Sequence, residues 1–189
     1  MELKSPIVIA PYDPRWPVFF EALREVIQRA MGELAARIEH VGSTAVPGLP
    51  AKPILDIDVV IPSGTVLPEA IRRLAALGYG HEGDLGISGR EAFTAGEAAD
   101  VPRDGTGRSW PPHHLYVCLA GGREIRRHLL FRDWLRSHPD RAAEYGALKL
   151  RLFQVHREDR ARYTEAKTGF VEAALRESIE GPASIPEGS

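Results

Sequence analysis

Two aspartates separated by one isoleucine, in the run Leu55-Asp56-Ile57-Asp58-Val59-Val60-Ile61, are the residues of this chain best placed to do chemistry. On a strand, residues i and i+2 project to one side. Asp56 and Asp58 therefore share a face, while Leu55, Ile57 and Val59 turn the other way into a core. Their Cα atoms would lie roughly 6.6–7 Å apart at a rise of about 3.3 Å per residue. Carboxylates at that spacing can reach one cation, or a pair of metals roughly 3.5–4 Å apart. Without a cation they raise each other's pKa and weaken the fold. Mg2+ (or Mn2+) is the natural partner, because Mg2+ binds through one or two carboxylates and completes its shell with phosphate oxygens and water.

Upstream, Gly42-Ser43-Thr44 closes a preceding apolar run, and twelve residues separate Ser43 from Asp56. Glycine lets a backbone come close to a ligand, and a serine hydroxyl with neighbouring N–H groups can hold a phosphate. Pro47, Gly48, Pro50 and Pro53 stiffen the intervening segment, and Lys52 offers a positive charge. Each part alone is ordinary: an Asp-x-Asp is usually a solvated strand edge, and Gly-Ser a common turn. Their combination at this spacing carries the information.

Further candidates lie downstream. His113 and His114 open the run HHLYVC and must face opposite sides of a strand, so they cannot form a two-histidine metal site. His114 is assigned to the face of the aspartates, as a ligand or a general base. In the run GISGR, Arg90 could direct a guanidinium at phosphate. From Gly121 to Phe170 there are 12 Lys/Arg against 7 Asp/Glu. In that basic stretch Arg132, Lys149 and Lys167 are the candidates for a charged wall facing a polyanion. Tyr145/Lys149 and Tyr163/Lys167 have the spacing of a dehydrogenase Tyr/Lys pair, but no glycine-rich dinucleotide fingerprint opens the chain. Cys118, Phe131 and Trp134 read as core.

These residues need elements to position them. IVIAPY (7–12) reads as a short strand or extended lead-in. Asp13 as N-cap with Pro14 at the first helical position predicts a helix through Trp16, Phe20, Leu23, Ile27 and Met31. ARIEHVG and PILDIDVVI read as strands, VLPEAIRRLAALG as a helix stopped at Gly78, and YGHEGDLGISGREAFTA as strand, turn and strand. AADVPRDGTGRSWPP is a polar loop expected to be the most mobile segment, and HHLYVCLA a strand. After Gly122 the pattern is helical throughout: REIRRHLLFRDWLRSH, PDRAAEYGALKLRLFQVH and REDRARYTEAKTGFVEAALRESI, the first two separated at Pro139. The expectation is one domain over 1–178 of α/β (α+β) class, a mixed sheet with flanking helices and a helical cap over about 122–178. A disordered tail is expected over 179–189.

The 189 residues suffice for one domain with a sizeable core. A formal charge of −2 gives no general drive towards nucleic acid or membrane. One cysteine excludes an internal disulfide framework. The amino-terminal residues lack a signal-peptide pattern, and no stretch is apolar enough to span a bilayer. A cytoplasmic location is expected.

The pattern of an apolar residue, Gly42-Ser43, about a dozen residues and then Asp56-Ile57-Asp58 resembles the signature of the nucleotidyltransferase superfamily typified by the DNA polymerase beta fold. GSTAVPGLPAKPILDIDVVI, with GISGREAF, HHLYVC, HLLFRDWLRSHPDRAAEYGALK and RYTEAKTGFV, is more narrowly similar to the GrpB-like (glutamate-rich protein B) family over about residues 7 to 175. The resemblance implies a nucleotidyltransferase-type fold, nucleotide phosphates at Gly42 and Ser43, and Mg2+ at Asp56 and Asp58. It further implies transfer of a nucleotidyl group to an unknown acceptor, by in-line attack on an α-phosphate. The expected partners are a nucleotide or other phosphorylated small molecule and that acceptor. At one point the sequence departs from the superfamily pattern: where a later strand usually adds a third carboxylate, HHLYVC offers His114. The same fold could therefore serve as a non-catalytic nucleotide- or phospholigand-binding domain, or as a hydrolase using His114 and one aspartate.

Overall fold

The computed structural model describes residues 8–180. Its centre is a five-stranded mixed sheet with strands β1 (Arg37–Val41), β2 (Leu55–Ile61), β3 (Gly80–Gly83), β4 (Arg90–Thr94) and β5 (His113–Leu119). The spatial order is β1-β2-β5-β4-β3. β2 and β5 run parallel, whereas the other neighbours are antiparallel. β2 and β5 are therefore flanked on both edges, and their burial on two faces explains the near-continuous apolar runs VVI and LYVCL.

One face of the sheet carries the main core. Leu55, Ile57, Val59 and Ile61 on β2 and Leu115 and Val117 on β5 pack with Leu23, Ile27 and Met31 of helix α1 (Trp16–Met31) and with Ala70 and Leu74 of helix α2 (Leu67–Ala76). Each fully buried aliphatic side chain contributes about 1.5–3 kcal/mol relative to exposure. The opposite face, with Asp56, Asp58, His114 and Tyr116, is covered in part by helix α3 (Arg123–Ser137), where Ile125 packs on Val60 and Cys118. Helices α4 (Pro139–Val155), α5 (Arg160–Glu165) and α6 (Thr168–Glu180) complete the expected cap. Its own core of Trp134, Leu135, Tyr145 and Ala174 also takes in Val46 and Leu49 from the segment between β1 and β2. The cap is thereby seated directly on the glycine-serine turn. Cys118, Trp134 and partly buried Phe131 are core residues, as expected.

The structure differs from expectation at several boundaries. Asp13 does not cap α1: its carboxylate accepts from the Arg15 N–H at 2.9 Å and from the Arg15 guanidinium at 2.7 Å, and the helix starts at Trp16 with Pro17 in its first turn. The lead-in strand reduces to one bridge between Ala10 and Ala51, and Ile7 falls outside the described residues. The last helical stretch is two helices, broken between Glu165 and Thr168. α6 continues through Glu180, so residues 179 and 180 of the expected tail are helical, and 181–189 fall outside the described residues. The polar loop before β5 is pinned by buried Val101 and by Trp110, whose Nε1–H donates to the Pro102 carbonyl at 2.8 Å. Among the described residues, no helix is long and apolar enough to cross a membrane.

Candidate functional site

β1 ends at Val41, and Gly42 turns the chain with φ +71° and ψ −170°. That region is open essentially only to glycine. A Cβ there would lie 2.2 Å from Asp56 Oδ2, so glycine is also required by the close approach of the carboxylate. Ser43–Ala45 form a single 3-10 turn. Two hydrogen bonds from the Arg136 guanidinium to the Ala45 carbonyl, at 2.9 and 2.7 Å, fix it from α3. Thr44 is buried and its hydroxyl pairs with His40 Nε2 at 2.9 Å, while the His40 ring stacks on Phe20 of α1. Burial pushes the His40 pKa down to about 4, with Arg136 and Arg132 adding to the shift and Asp56 opposing it.

The parallel register sets Asp56 beside His114 and Asp58 beside Tyr116. His114 Nδ1 lies 2.9 Å from Asp56 Oδ1. A carboxylate oxygen accepts, so Nδ1 is the donor in this pair and Nε2 points away from Asp56. Both side chains are partly open, at 39% and 33% exposure. Asp58 is different: it is 0% exposed, and its Oδ2 accepts from His128 Nδ1 of α3 at 2.6 Å. Burial works against charge on His128, but the bond to Asp58 and the carboxylates of Asp58, Glu124 and Asp56 outweigh it and raise its pKa.

Ser43, Thr44, Lys52, Asp56, His114, Lys149, Tyr163 and Lys167 line one pocket of about 110 Å3. The tyrosine ring organises two of the cations, with Lys52 Nζ 4.9 Å and Lys167 Nζ 4.4 Å from its centroid. Lys149 is only 2% exposed and donates to the Pro50 carbonyl. Burial, with the charge of Lys167, pushes its pKa down to about 7. Gly146, one turn earlier on α4, makes this reach possible: a Cβ there would come within 3.1 Å of Pro50. Burial raises the Tyr145 hydroxyl well above its ordinary pKa, with Tyr163 and Asp56 adding to the shift and a hydrogen bond with Ser43 opposing it.

Seven of the anticipated residues thus meet around one cavity, and Gly42 abuts it through Asp56. Two do not. Arg132 pairs with Glu39 at 2.8 Å and donates to the His40 carbonyl at 3.0 Å, stapling α3 to β1. Arg90 lies 4.4 Å from the Tyr116 ring centroid and does not line the pocket. His113 faces the other side, 2.6 Å from the Tyr79 hydroxyl. Sequence reasoning missed His128 and Arg136, since a histidine and an arginine inside a highly charged helix look like any solvated pair.

No third carboxylate comes from β5, where Tyr116 stands opposite Asp58, and Glu39 across on β1 is taken by Arg132. Among the described residues no group of three or more His, Cys, Asp or Glu is arranged to hold a metal by itself. The aspartates nevertheless fit a hard cation in one respect: Asp58 Oδ1 is buried without any hydrogen-bond partner. Such an orphaned acceptor costs about 1–3 kcal/mol or more, and a cation would satisfy it.

The chain superposes on Cid1 poly(U) polymerase in its MgGTP-bound form with TM-score 0.51 at 15% identity, over 77% of this chain and 43% of that one. The fold is nucleotidyltransferase-like. It matches the conserved protein GrpB from Enterococcus faecalis more fully, with TM-score 0.76 and 30% identity over 92% of this chain and 98% of that one. The model of the family described as GrpB protein matches residues 6–177, and the chain belongs to that family. A UPF0157 protein of Pseudomonas aeruginosa is 39% identical over 173 residues, which are 92% of this chain and 68% of that protein. A dephospho-CoA kinase of Mycolicibacterium paratuberculosis is 28% identical over 160 residues, so the match spans 77% of this chain but only 39% of that protein.

Proposed function

We propose that this protein binds a magnesium nucleotide and transfers its nucleotidyl group to an acceptor. The observation that carries the reading is the single pocket in which Ser43, Asp56 and His114 meet Lys52, Lys149 and Lys167. Three lysines and a hydroxyl suit an anion of several charges. A cavity of about 110 Å3 lies well below the size that encloses a whole drug-sized ligand, so it suits the phosphates and leaves sugar and base outside.

Asp56 and Asp58 would hold Mg2+, which supplies neutralisation of the charge developing on the phosphoryl oxygens. Ser43 and the lysines orient the phosphate chain. An acceptor hydroxyl or amine attacks the α-phosphorus, a new bond to phosphorus forms, the bond to the β-phosphate oxygen breaks, and pyrophosphate leaves. His114 Nε2 takes the acceptor proton, while Asp56 holds the ring through Nδ1 and stabilises its charged form.

One observation favours a second reading, a non-catalytic phospholigand-binding domain. Both aspartates are already hydrogen-bonded to histidines, β5 supplies no third carboxylate beside them, and Glu39 on β1 is ion-paired with Arg132. Calorimetry with nucleoside triphosphates and Mg2+ tests binding on the wild type and on Asp56→Asn and Asp58→Asn. Equal affinity in all three, or none in the wild type, overturns the site. Pyrophosphate release in the presence of acceptors separates the enzyme from the binder.

A further inference from the structure

A second cavity, of about 560 Å3, adjoins the phosphate pocket, and Ile54 and His114 line both. Its chemistry is the opposite of its neighbour's. Phe93, Trp110 and Tyr116, with Pro111 and Pro112, provide aromatic and apolar wall. The charged residues lining it, histidines aside, are Glu82 and Glu97, both exposed, and no lysine or arginine lines it. Two guanidiniums stand over its rings without lining it. Arg108 is 3.6 Å from the Trp110 centroid and ion-paired with Asp104, and Arg90 is over Tyr116.

Resting on the nucleotidyl-transfer reading, we infer that this cavity is the acceptor site and that it takes a small organic cation bearing a nucleophilic hydroxyl or amine. The volume lies in the range that encloses a metabolite-sized molecule. The shared His114 wall brings an occupant's nucleophile to the edge of the phosphate pocket. The Glu82 and Glu97 carboxylates attract an ammonium group, while the Trp110 and Tyr116 faces, already under Arg108 and Arg90, serve as apolar wall. A nucleic-acid end is disfavoured, because its backbone phosphates need basic side chains along their path and this wall presents acids. Three lysines on one side of His114 and two glutamates on the other would separate an anionic donor from a cationic acceptor, so that neither ligand occupies the other's place.

Ligand-observed NMR and calorimetry on the full chain test this with ethanolamine, glucosamine and spermidine against glucuronate and a uridine dinucleotide. The three amines are expected to bind and the two anions not. Glu82→Gln/Glu97→Gln should weaken amine binding roughly fivefold to tenfold, as expected for two exposed charge contacts. Glu82→Lys/Glu97→Lys should abolish it, and an unchanged thermal midpoint shows that the variant is folded. Amine binding unmoved by charge reversal, tighter binding of the dinucleotide, or no amine binding overturns the inference. Nucleotide affinity is measured in parallel on the same samples. If the triphosphate fails to bind while the amines do, the donor reading falls and this site stands as a cation-binding cavity; the reverse result sinks the acceptor site alone.

Discussion

The carboxylate of Asp56 fills the space that a side chain at Gly42 would need, with Oδ2 2.2 Å from the position of an added Cβ. The turn that should hold phosphate and the strand that should hold metal are thus interlocked. Gly42→Ala forces a strained backbone, which alone costs about 1–3 kcal/mol, and also displaces the carboxylate. The expected outcome is destabilisation of at least about 2 kcal/mol in chemical denaturation, with loss of triphosphate binding under conditions where the variant is folded.

Lys149 offers a second measurement. Its amine, with a pKa of about 7, is mostly neutral at pH 8 in the free protein. A bound polyphosphate favours the charged form and returns the pKa towards the usual lysine value. Binding at pH 8 should therefore take up close to one proton, read by calorimetry in buffers of different ionisation heat. Affinity should fall by up to about tenfold per unit as pH rises above 7. Lys149→Met should bind without that proton uptake.

His128 is the charge partner of a fully buried carboxylate, at 2.6 Å. Removing one partner of a buried pair costs about 3–5 kcal/mol, because the other is left uncompensated. His128→Ala should lose that much stability in urea unfolding. Asp58→Asn/His128→Ala should cost less than the two single changes added, the signature of direct coupling.

His40 predicts the acid response. Its pKa is depressed in the fold, to about 4, so the unfolded chain binds the proton first as pH falls. Its stability contribution is complete above the ordinary histidine value of about 6.5 and is lost between there and about 4, on the order of 3 kcal/mol in total. His40→Gln should flatten the stability profile across that window. Equal slopes for the two proteins would show that His40 is not responsible.

Much of the architecture was legible because it is local. Alternation along Leu55–Ile61 is enough to put Asp56 and Asp58 on one face and three aliphatics on the other, since strand geometry has a period of two. The same rule separated His113 from His114 correctly. Helix starts were less legible. Asp13 has the right identity for a cap, but Arg15, two residues on, captures its carboxylate.

What tertiary structure decided is which partner each charge meets. Asp56 finds a histidine 58 residues away through the parallel pairing of β2 with β5, and Asp58 finds another 70 residues away through the docking of α3. Arg132 had the right charge and the right element for the site, yet Glu39 on β1 takes it. Residue types and short spacings determined that this chain carries a two-acid strand, a phosphate-suited turn and a basic cap. Only strand register and helix docking, which are set by packing between distant segments, decided that Lys149 and Lys167 close the pocket while Arg90 and Arg132 do not.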